Sequence, residues 1–200
     1  GLKNNEKSVD AVAGRVGSAL SYGSNHPYGE YITEETVNNI TIDNVRAFYQ
    51  KYFNPNNAYL VIIGDVDFKT VEKQVKKYFK KWDKGIDFTT NLVTPNPNLA
   101  STQINFVDMP NAVQSNISLT NNVTLEMNDP DYHAVLIANK ILGGGFNSYL
   151  NMNLREANGW TYGARSSIGA SRFGASRFTA GAEVRNTVTD SAVVETLKEI

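Results

Sequence analysis

Hydrophobic residues recur every three or four positions in several stretches of the first part of the chain. This spacing is typical of helices that bury one face. The helices it predicts cover 2–20, 33–38, 42–52 and 68–82. Thr41 and Asp67 are placed to cap the last two. Ala58 to Ile63, in contrast, is a continuous apolar run that predicts a strand buried on both faces.

Beyond residue 101 the pattern changes to an alternation of polar and apolar residues. Such alternation predicts strands with one buried face. Residues 103–108 and 113–121 flank a short turn at Met109–Asn111, and we expect them to pair as a hairpin. Two more strands are predicted over 160–168 and 177–184.

Helices are also predicted in this second part of the chain. The first begins at Asp129-Pro130 and stops at Gly143–Gly145, because consecutive glycines terminate a helix. The second starts at Asn147 and ends at Asn158-Gly159, where glycine suits a left-handed C-terminal position. A last helix begins near Val193.

Residues 83–101 are rich in Gly, Asn, Thr and Pro, a composition typical of a linker. They divide the chain into units 1–82 and 102–200, each of which combines strands with covering helices. The predicted fold class is therefore α+β. We interpret both ends as truncated, since the chain starts at Gly1 and Ile200 cuts the last helix.

Composition narrows the class of protein further. With 200 residues, 41% hydrophobic content and a net charge of −1, we expect a globular protein that binds neither nucleic acid nor an anionic membrane. There is no cysteine, which excludes disulfides and thiolate metal sites. No apolar run approaches the roughly 20 residues that a transmembrane helix needs.

Candidate chemistry is sparse. His26 and His133 are the available imidazoles, they lie in different units, and no His-x-x-Glu-His spacing accompanies them. We therefore assign no metal ligand in this chain. A Gly-x-Ser-x-Gly nucleophile motif is also missing, and Gly143–Gly145 lacks the residues of a phosphate-binding loop.

Two motif-rich regions, in order along the chain, carry a family resemblance. Ile141–Leu150, with its three glycines, and Leu154–Gly163, with Leu-Arg-Glu and Tyr-Gly, resemble the third quarter of the pitrilysin/insulinase family of zinc peptidases, also called inverzincins. His26–Gly29, Asn54–Asn57 and Val61–Asp65 are similar to the closing part of the preceding half-domain of that family. The chain is thus identified as an internal fragment of such a peptidase.

The resemblance implies two similar α+β half-domains of mixed or antiparallel sheet covered by helices, facing each other across a cavity. Residues 1–82 would then end the first half-domain, and 102–200 would begin the second. The family places zinc in one half and an Arg–Tyr pair, seven positions apart, in the other. The matching residues here are Arg155, expected to bind a substrate carbonyl, and Tyr162, expected to stabilise the oxyanion.

This sequence departs from the family pattern at a few positions. Tyr149 stands where many relatives have Arg, and Trp160-Thr161 where Leu-Ala is frequent. The larger departure is the zinc motif, which in relatives lies upstream of His26. We therefore expect the isolated chain to be inactive, with zinc held by the parent protein or by a partner half and none in this fragment.

Two functions stay open. In the first, the parent is a zinc metalloendopeptidase that cleaves peptides, and this fragment supplies the substrate-carbonyl and oxyanion side of its active site. In the second, the parent is a non-catalytic family subunit that acts as a structural or peptide-binding partner of an active zinc peptidase. The expected partners are a peptide substrate and a zinc-bearing half, in the same chain or in a homo- or hetero-oligomer. If the protein is bacterial, we expect it in the periplasm or at the cell envelope.

Overall fold

The structure is a computed structural model that describes residues 1–85, 93–172 and 174–200. Within these residues the helices are α1 (Leu2–Asn5), α2 (Val9–Tyr22), α3 (Glu34–Asn38), α4 (Ile42–Tyr52), α5 (Phe68–Phe79), α6 (Tyr132–Asn139), α7 (Tyr149–Asn151) and α8 (Thr189–Glu199). The strands are β1 (Gln114–Val123), β2 (Ala164–Ser167) and β3 (Ser176–Arg185). These elements confirm the α+β class.

Contacts between residues divide the chain into two units. Gly1–Tyr31 and Leu92–Ile200 form the larger unit, which contains the sheet, and Ile32–Asn91 forms the smaller. The half-domain boundaries drawn through 83–101 stay a prediction, and residues 86–92 of that segment lie outside the described residues.

The sheet of the larger unit is antiparallel, with the strand order β1-β3-β2. The central strand β3 pairs along its whole length with β1, from Gln114 opposite Arg185 to Val123 opposite Ser176. The shorter β2 pairs with the other edge of β3, where Ala164 lies opposite Ala182. A strand is found at each of the predicted ranges 160–168 and 177–184, so both strand predictions are confirmed.

The core of the larger unit lies between this sheet and the helices of the second half of the chain. The small alanines of β2 and β3 leave room for Leu150 and Leu154 to pack against the sheet. Such close packing excludes water from the space between sheet and helices. Partly buried side chains, among them Trp160 and Leu142, complete the cluster. The buried members are Ile117, Leu150, Leu154, Ala164, Ala180, Ala182, Val184 and Ala192.

Helix α2 also packs on this sheet, although many residues separate it from β1 in sequence. Ser8 is its N-cap, and the Ser8 hydroxyl accepts from the backbone N–H of Ala11 at 3.3 Å. The single helix predicted over 2–20 is therefore divided into α1 and α2. The side chain of Asn116 on β1 donates to Asp10 at 3.0 Å, near the start of α2. Asn122, at the other end of β1, donates to the carbonyl of Ser21 at 2.6 Å.

The helices of the smaller unit follow the sequence prediction closely. Thr33 and Thr41 each form a capping box at the start of α3 and α4. Asp67 accepts from the backbone N–H of Thr70 at 2.8 Å, which starts α5 and holds the pKa of that carboxyl below its usual value.

The strand predicted over Ala58–Ile63 is wrong, because these residues lie in an irregular segment. Tyr59 and Ile63 are almost fully exposed. A strand needs a neighbour that pairs its backbone N–H and C=O groups. The three strands of the described residues all belong to the larger unit, so this apolar run has no strand partner there.

The predicted hairpin is also wrong. The turn at Met109–Asn111 forms, with Ala112 N–H donating to the carbonyl of Met109 at 3.1 Å. Residues 103–108, however, are not a strand, and Phe106 is exposed. β1 pairs instead with β3, which offers a matching register over ten residues.

The helix predicted to start at Asp129-Pro130 begins two residues later, after Asp131. The carboxylate of Asp129 accepts from the N–H of Asp131 at 2.9 Å and forms a turn instead of a cap. Within residues 1–85, 93–172 and 174–200, no helix is long and apolar enough to cross a membrane.

Candidate functional site

The three glycines of the motif bring α6 close to strand β2. After Asn139 the helix widens into a π-helical turn over Lys140–Gly144 and ends at Gly145. Gly143 is buried there, and a Cβ atom at this position would overlap the backbone nitrogen of Ser166 on β2. Gly143 therefore allows the helix to approach β2 closely. The glycines also end the helix, as predicted.

Arg155 lies on a second π-helical turn, Met152–Ala157, which continues α7. Leu150 and Leu154 are completely buried and anchor this segment to the core. The guanidinium carbon of Arg155 lies 4.6 Å from the centre of the Phe146 ring, and its Nη1 lies 3.2 Å from Glu156 Oε1. The Arg155 side chain is half-buried and is held by a cation–π contact.

Tyr162 lies on a tight turn between that segment and β2. Gly159 adopts φ +62°, as predicted for a helix C-terminus, and Trp160 N–H donates to the carbonyl of Leu154 at 3.0 Å. The hydroxyl of Thr161 accepts from Gly163 N–H and donates to the carbonyl of Gly163, both at 3.1 Å. This turn presents Tyr162 to solvent, with 93% of the residue exposed.

A shallow, open depression adjoins Tyr162. Besides Thr161, Tyr162 and Gly163, it is lined by Gln114 at the start of β1 and Glu183 on β3. In the described part of the chain, the Tyr162 hydroxyl has no hydrogen-bond partner, so it is available to donate to a ligand. No hydrogen bond, ion pair or ring contact joins Arg155 and Tyr162 in that part of the chain, and each is supported by its own neighbours.

Comparison with known proteins decides the family. The profile of the peptidase M16 inactive domain matches residues 39–200. The chain belongs to this family. The resemblance to pitrilysin-family zinc peptidases that the sequence motifs carry is thereby confirmed.

The relatives of this M16 chain are bacterial proteins. It is 27% identical over 167 residues to a probable inactive metalloprotease of Bacillus subtilis, covering 81% of this chain and 38% of that protein. It is 28% identical over 138 residues to an uncharacterized zinc protease of Streptomyces coelicolor, covering 67% of this chain and 30% of that protein. The chain thus spans less than half the length of these relatives.

Solved structures share the fold. A peptidase M16 inactive domain from Pseudomonas fluorescens superposes with a TM-score of 0.83 at 23% identity, covering 98% of this chain and 47% of that one. A protease from Helicobacter pylori superposes with a TM-score of 0.74 at 20% identity, covering 94% and 47%.

The ring nitrogens of His26 in this M16 chain are both used by hydrogen bonds. Nε2 of His26 lies 3.1 Å from the carbonyl oxygen of Val93, which can only accept, so this nitrogen carries the proton. Nδ1 accepts from the backbone N–H of Tyr28 at 3.0 Å, so both ring nitrogens are engaged. His133 packs against the ring of Tyr132. Among the described residues, no three His, Cys, Asp or Glu side chains are grouped to hold a metal.

Glu183 was not identified from the sequence, because its place beside Tyr162 depends on the pairing of β3. Its carboxylate lies near Asp10 of α2, and repulsion between the two raises the pKa of Glu183, with burial adding to the effect. A raised carboxyl pKa means that the ionised form destabilises the fold above that pKa, and that protonation relieves the strain as the pH falls towards the ordinary value of 4.5.

Glu183→Gln should therefore stabilise the protein at pH 7.5, by no more than about 0.5 kcal/mol since the pair is largely exposed and screened. The gain should shrink as the pH falls to 4.5, because the raised pKa of Glu183 lets the folded wild type take up its proton above that value. Urea denaturation at both pH values and low salt measures it. Glu126→Gln, on an exposed loop, is the control. A Glu183→Gln protein less stable than wild type at pH 7.5 would contradict the assignment.

Proposed function

We propose that this M16 chain supplies the substrate-binding side of a peptidase active site, whose metal-binding side lies elsewhere in the full-length protein or in a partner subunit. The observation that carries the proposal is the exposed Tyr162, which stands on a turn braced by Thr161 and whose hydroxyl has no hydrogen-bond partner among the described residues. A solvent-exposed aromatic side chain on a rigid backbone is well suited to bind a ligand.

Arg155 would bind the peptide backbone. Its guanidinium carries five N–H donors in a planar fork, and its carbon lies over the Phe146 ring at 4.6 Å, a cation–π contact that restrains the side chain. The ion pair with Glu156 uses Nη1, which leaves other donors for a carbonyl oxygen of the substrate. Arg155 would thereby orient the peptide, and its loss would weaken binding more than it slows chemistry.

Tyr162 would act on the reacting carbonyl. When water attacks a peptide bond, negative charge develops on the carbonyl oxygen, and a phenol hydroxyl can donate to it. Such a donor acts without reorganisation if its backbone is already held in place. Main-chain recognition by Arg155 and Tyr162 predicts broad peptide specificity, because all peptides share these carbonyl groups.

The second candidate function is a non-catalytic subunit. The matched family is described as an inactive domain, and the Bacillus subtilis relative is named a probable inactive metalloprotease. In this case the full-length protein alone would not cleave peptides. Arg155 and Tyr162 would instead complete the active site of a zinc peptidase partner, and turnover would appear only when the two proteins are mixed.

Arg155→Ala tests the first part of the proposal. In the full-length protein, or in its complex with a catalytic subunit, we expect KM for a quenched fluorogenic peptide to rise about tenfold, as for a lost charge-assisted hydrogen bond. The matched control is Arg46→Ala, since Arg46 is an exposed helix cation that pairs with Asp43.

An Arg155→Ala protein with wild-type KM and kcat would exclude Arg155 from substrate binding. Equal effects of Arg155→Ala and Arg46→Ala would point to a change in overall charge. Only a rise in KM specific to Arg155→Ala supports the proposed role.

A further inference from the structure

We propose that Asn151 is a positioning residue that fixes Arg155 and Tyr162 relative to each other through two hydrogen bonds of one side chain. The inference rests on the proposed function of Arg155 and Tyr162. Asn151 itself is completely buried and touches no substrate.

The first hydrogen bond supports Arg155. Asn151 Nδ2 donates to the backbone carbonyl of Phe146 at 2.7 Å. The ring of Phe146 is the surface on which the Arg155 guanidinium stacks, at 4.6 Å. Because Asn151 fixes the Phe146 backbone, it also limits the directions in which Arg155 can point.

The second hydrogen bond supports Tyr162. Asn151 Oδ1 accepts from the backbone N–H of Ala164 at 3.2 Å. Ala164 is the first residue of β2, is fully buried, and follows Tyr162 by two positions. The side-chain amide of Asn151 therefore holds two backbone positions. One is Ala164, at the end of the turn that presents Tyr162, and the other is Phe146, whose ring contacts Arg155.

A side-chain amide suits this buried point. The Phe146 carbonyl needs a donor and the Ala164 N–H needs an acceptor, and the amide of Asn151 offers the two on separate atoms. Asn151 lies next to Leu150 in a water-excluding core, so loss of the side chain would leave both backbone groups without partners. Displacements of about 1 Å in a catalytic group can cost roughly 100-fold in rate.

A buried asparagine can also serve structure alone, and the chain offers a matched example in Asn54. It is nearly fully buried, donates to the carbonyl of Lys51 at 3.0 Å and accepts from the N–H of Asn56 at 3.1 Å. Both partners are its close neighbours in sequence. Asn151, by contrast, reaches 13 residues along the chain to Ala164 and joins two elements.

The test compares Asn151→Leu with Asn54→Leu in the full-length protein, or in its complex, with a quenched fluorogenic peptide. We expect Asn151→Leu to lower kcat about 10- to 100-fold per folded molecule, through Tyr162, and to raise KM by up to the roughly tenfold expected for Arg155→Ala. Asn54→Leu should lower stability but leave kcat unchanged. Combining Asn151→Leu with Tyr162→Phe should add little to the loss of kcat in either single variant, because both lower kcat through the Tyr162 hydroxyl.

If Asn151→Leu does not fold, Asn151→Asp keeps the size of the side chain and an acceptor for Ala164 but loses the donor to Phe146, so it should raise KM more than it lowers kcat. Hydrogen exchange supplies a readout independent of turnover. We expect faster exchange of the Ala164 amide in Asn151→Leu than in Asn151→Asp, which keeps the acceptor, while the amides of α8 stay protected in both.

The outcomes separate the two proposals. If Arg155→Ala and Tyr162→Phe impair turnover but Asn151 variants lose only stability, the positioning role is overturned and the proposed function stands. If Arg155→Ala and Tyr162→Phe leave turnover unchanged, the proposed function fails and the role of Asn151 fails with it. If the losses of kcat in Asn151→Leu and Tyr162→Phe were fully additive in the double variant, the positioning role of Asn151 would also be overturned.

Discussion

Tyr162→Phe should lower kcat for peptide cleavage by roughly 100-fold, which corresponds to about 3 kcal/mol of lost transition-state stabilisation. The substitution removes only the hydroxyl that would donate to the developing oxyanion. The ring stays on a turn held by Thr161, and since Tyr162 is 93% exposed, the fold should not change. Steady-state kinetics of the full-length protein, or of its complex, measure the effect, and KM should stay within about threefold.

The control for this variant is Tyr78→Phe. Tyr78 is also exposed, on α5, and its ring lies 5.5 Å from Lys77 Nζ, so loss of its hydroxyl should not affect turnover. A Tyr162→Phe protein whose kcat equals that of Tyr78→Phe would show that the Tyr162 hydroxyl has no part in the reaction.

Leu154→Ala should lower the free energy of unfolding of the larger unit by about 3 kcal/mol. Leu154 is completely buried among Leu150 and the small residues of the sheet and α8, so truncation leaves a cavity. It also precedes Arg155 directly in the π-helical turn. Urea denaturation followed by Trp160 fluorescence, in a Trp82→Phe background, reports on this unit, because Trp160 packs on the core.

Leu197→Ala provides the comparison for Leu154→Ala. Leu197 lies on α8 and is about half exposed, so its truncation should cost no more than about 1 kcal/mol. If the two variants were equally stable, the core described around Leu154 would be wrong.

Local signals explain which elements could be predicted from the sequence. Thr41 and Asp67 cap their helices with side chains three residues from their partners, so the starts of α4 and α5 follow from a short window. The strand predicted at Ala58–Ile63 failed because a strand depends on a partner that the run itself does not specify. Propensity identifies a segment that can be a strand, and pairing decides whether it is one.

The same distinction holds for the site. The motif residues identified Arg155 and Tyr162, and the structure places both in the larger unit. The neighbours of this pair could not be predicted. Glu183 reaches the Tyr162 depression only through the register of β3, and Asn151 reaches Ala164 across two elements. The one signal that the sequence offers for Asn151 is its place next to Leu150 and three residues before Leu154, on the side of the helix predicted to face inward.

The most direct test of the central claim is the double variant Arg155→Ala/Tyr162→Phe, assayed in the full-length protein or its complex with a catalytic subunit. We expect a loss of kcat/KM of roughly 1,000-fold with an unchanged zinc content, because neither residue is assigned to metal binding. The Arg46→Ala/Tyr78→Phe protein should match wild type. A double variant that retains wild-type kcat/KM would contradict the claim that this chain supplies the substrate-binding side of a peptidase.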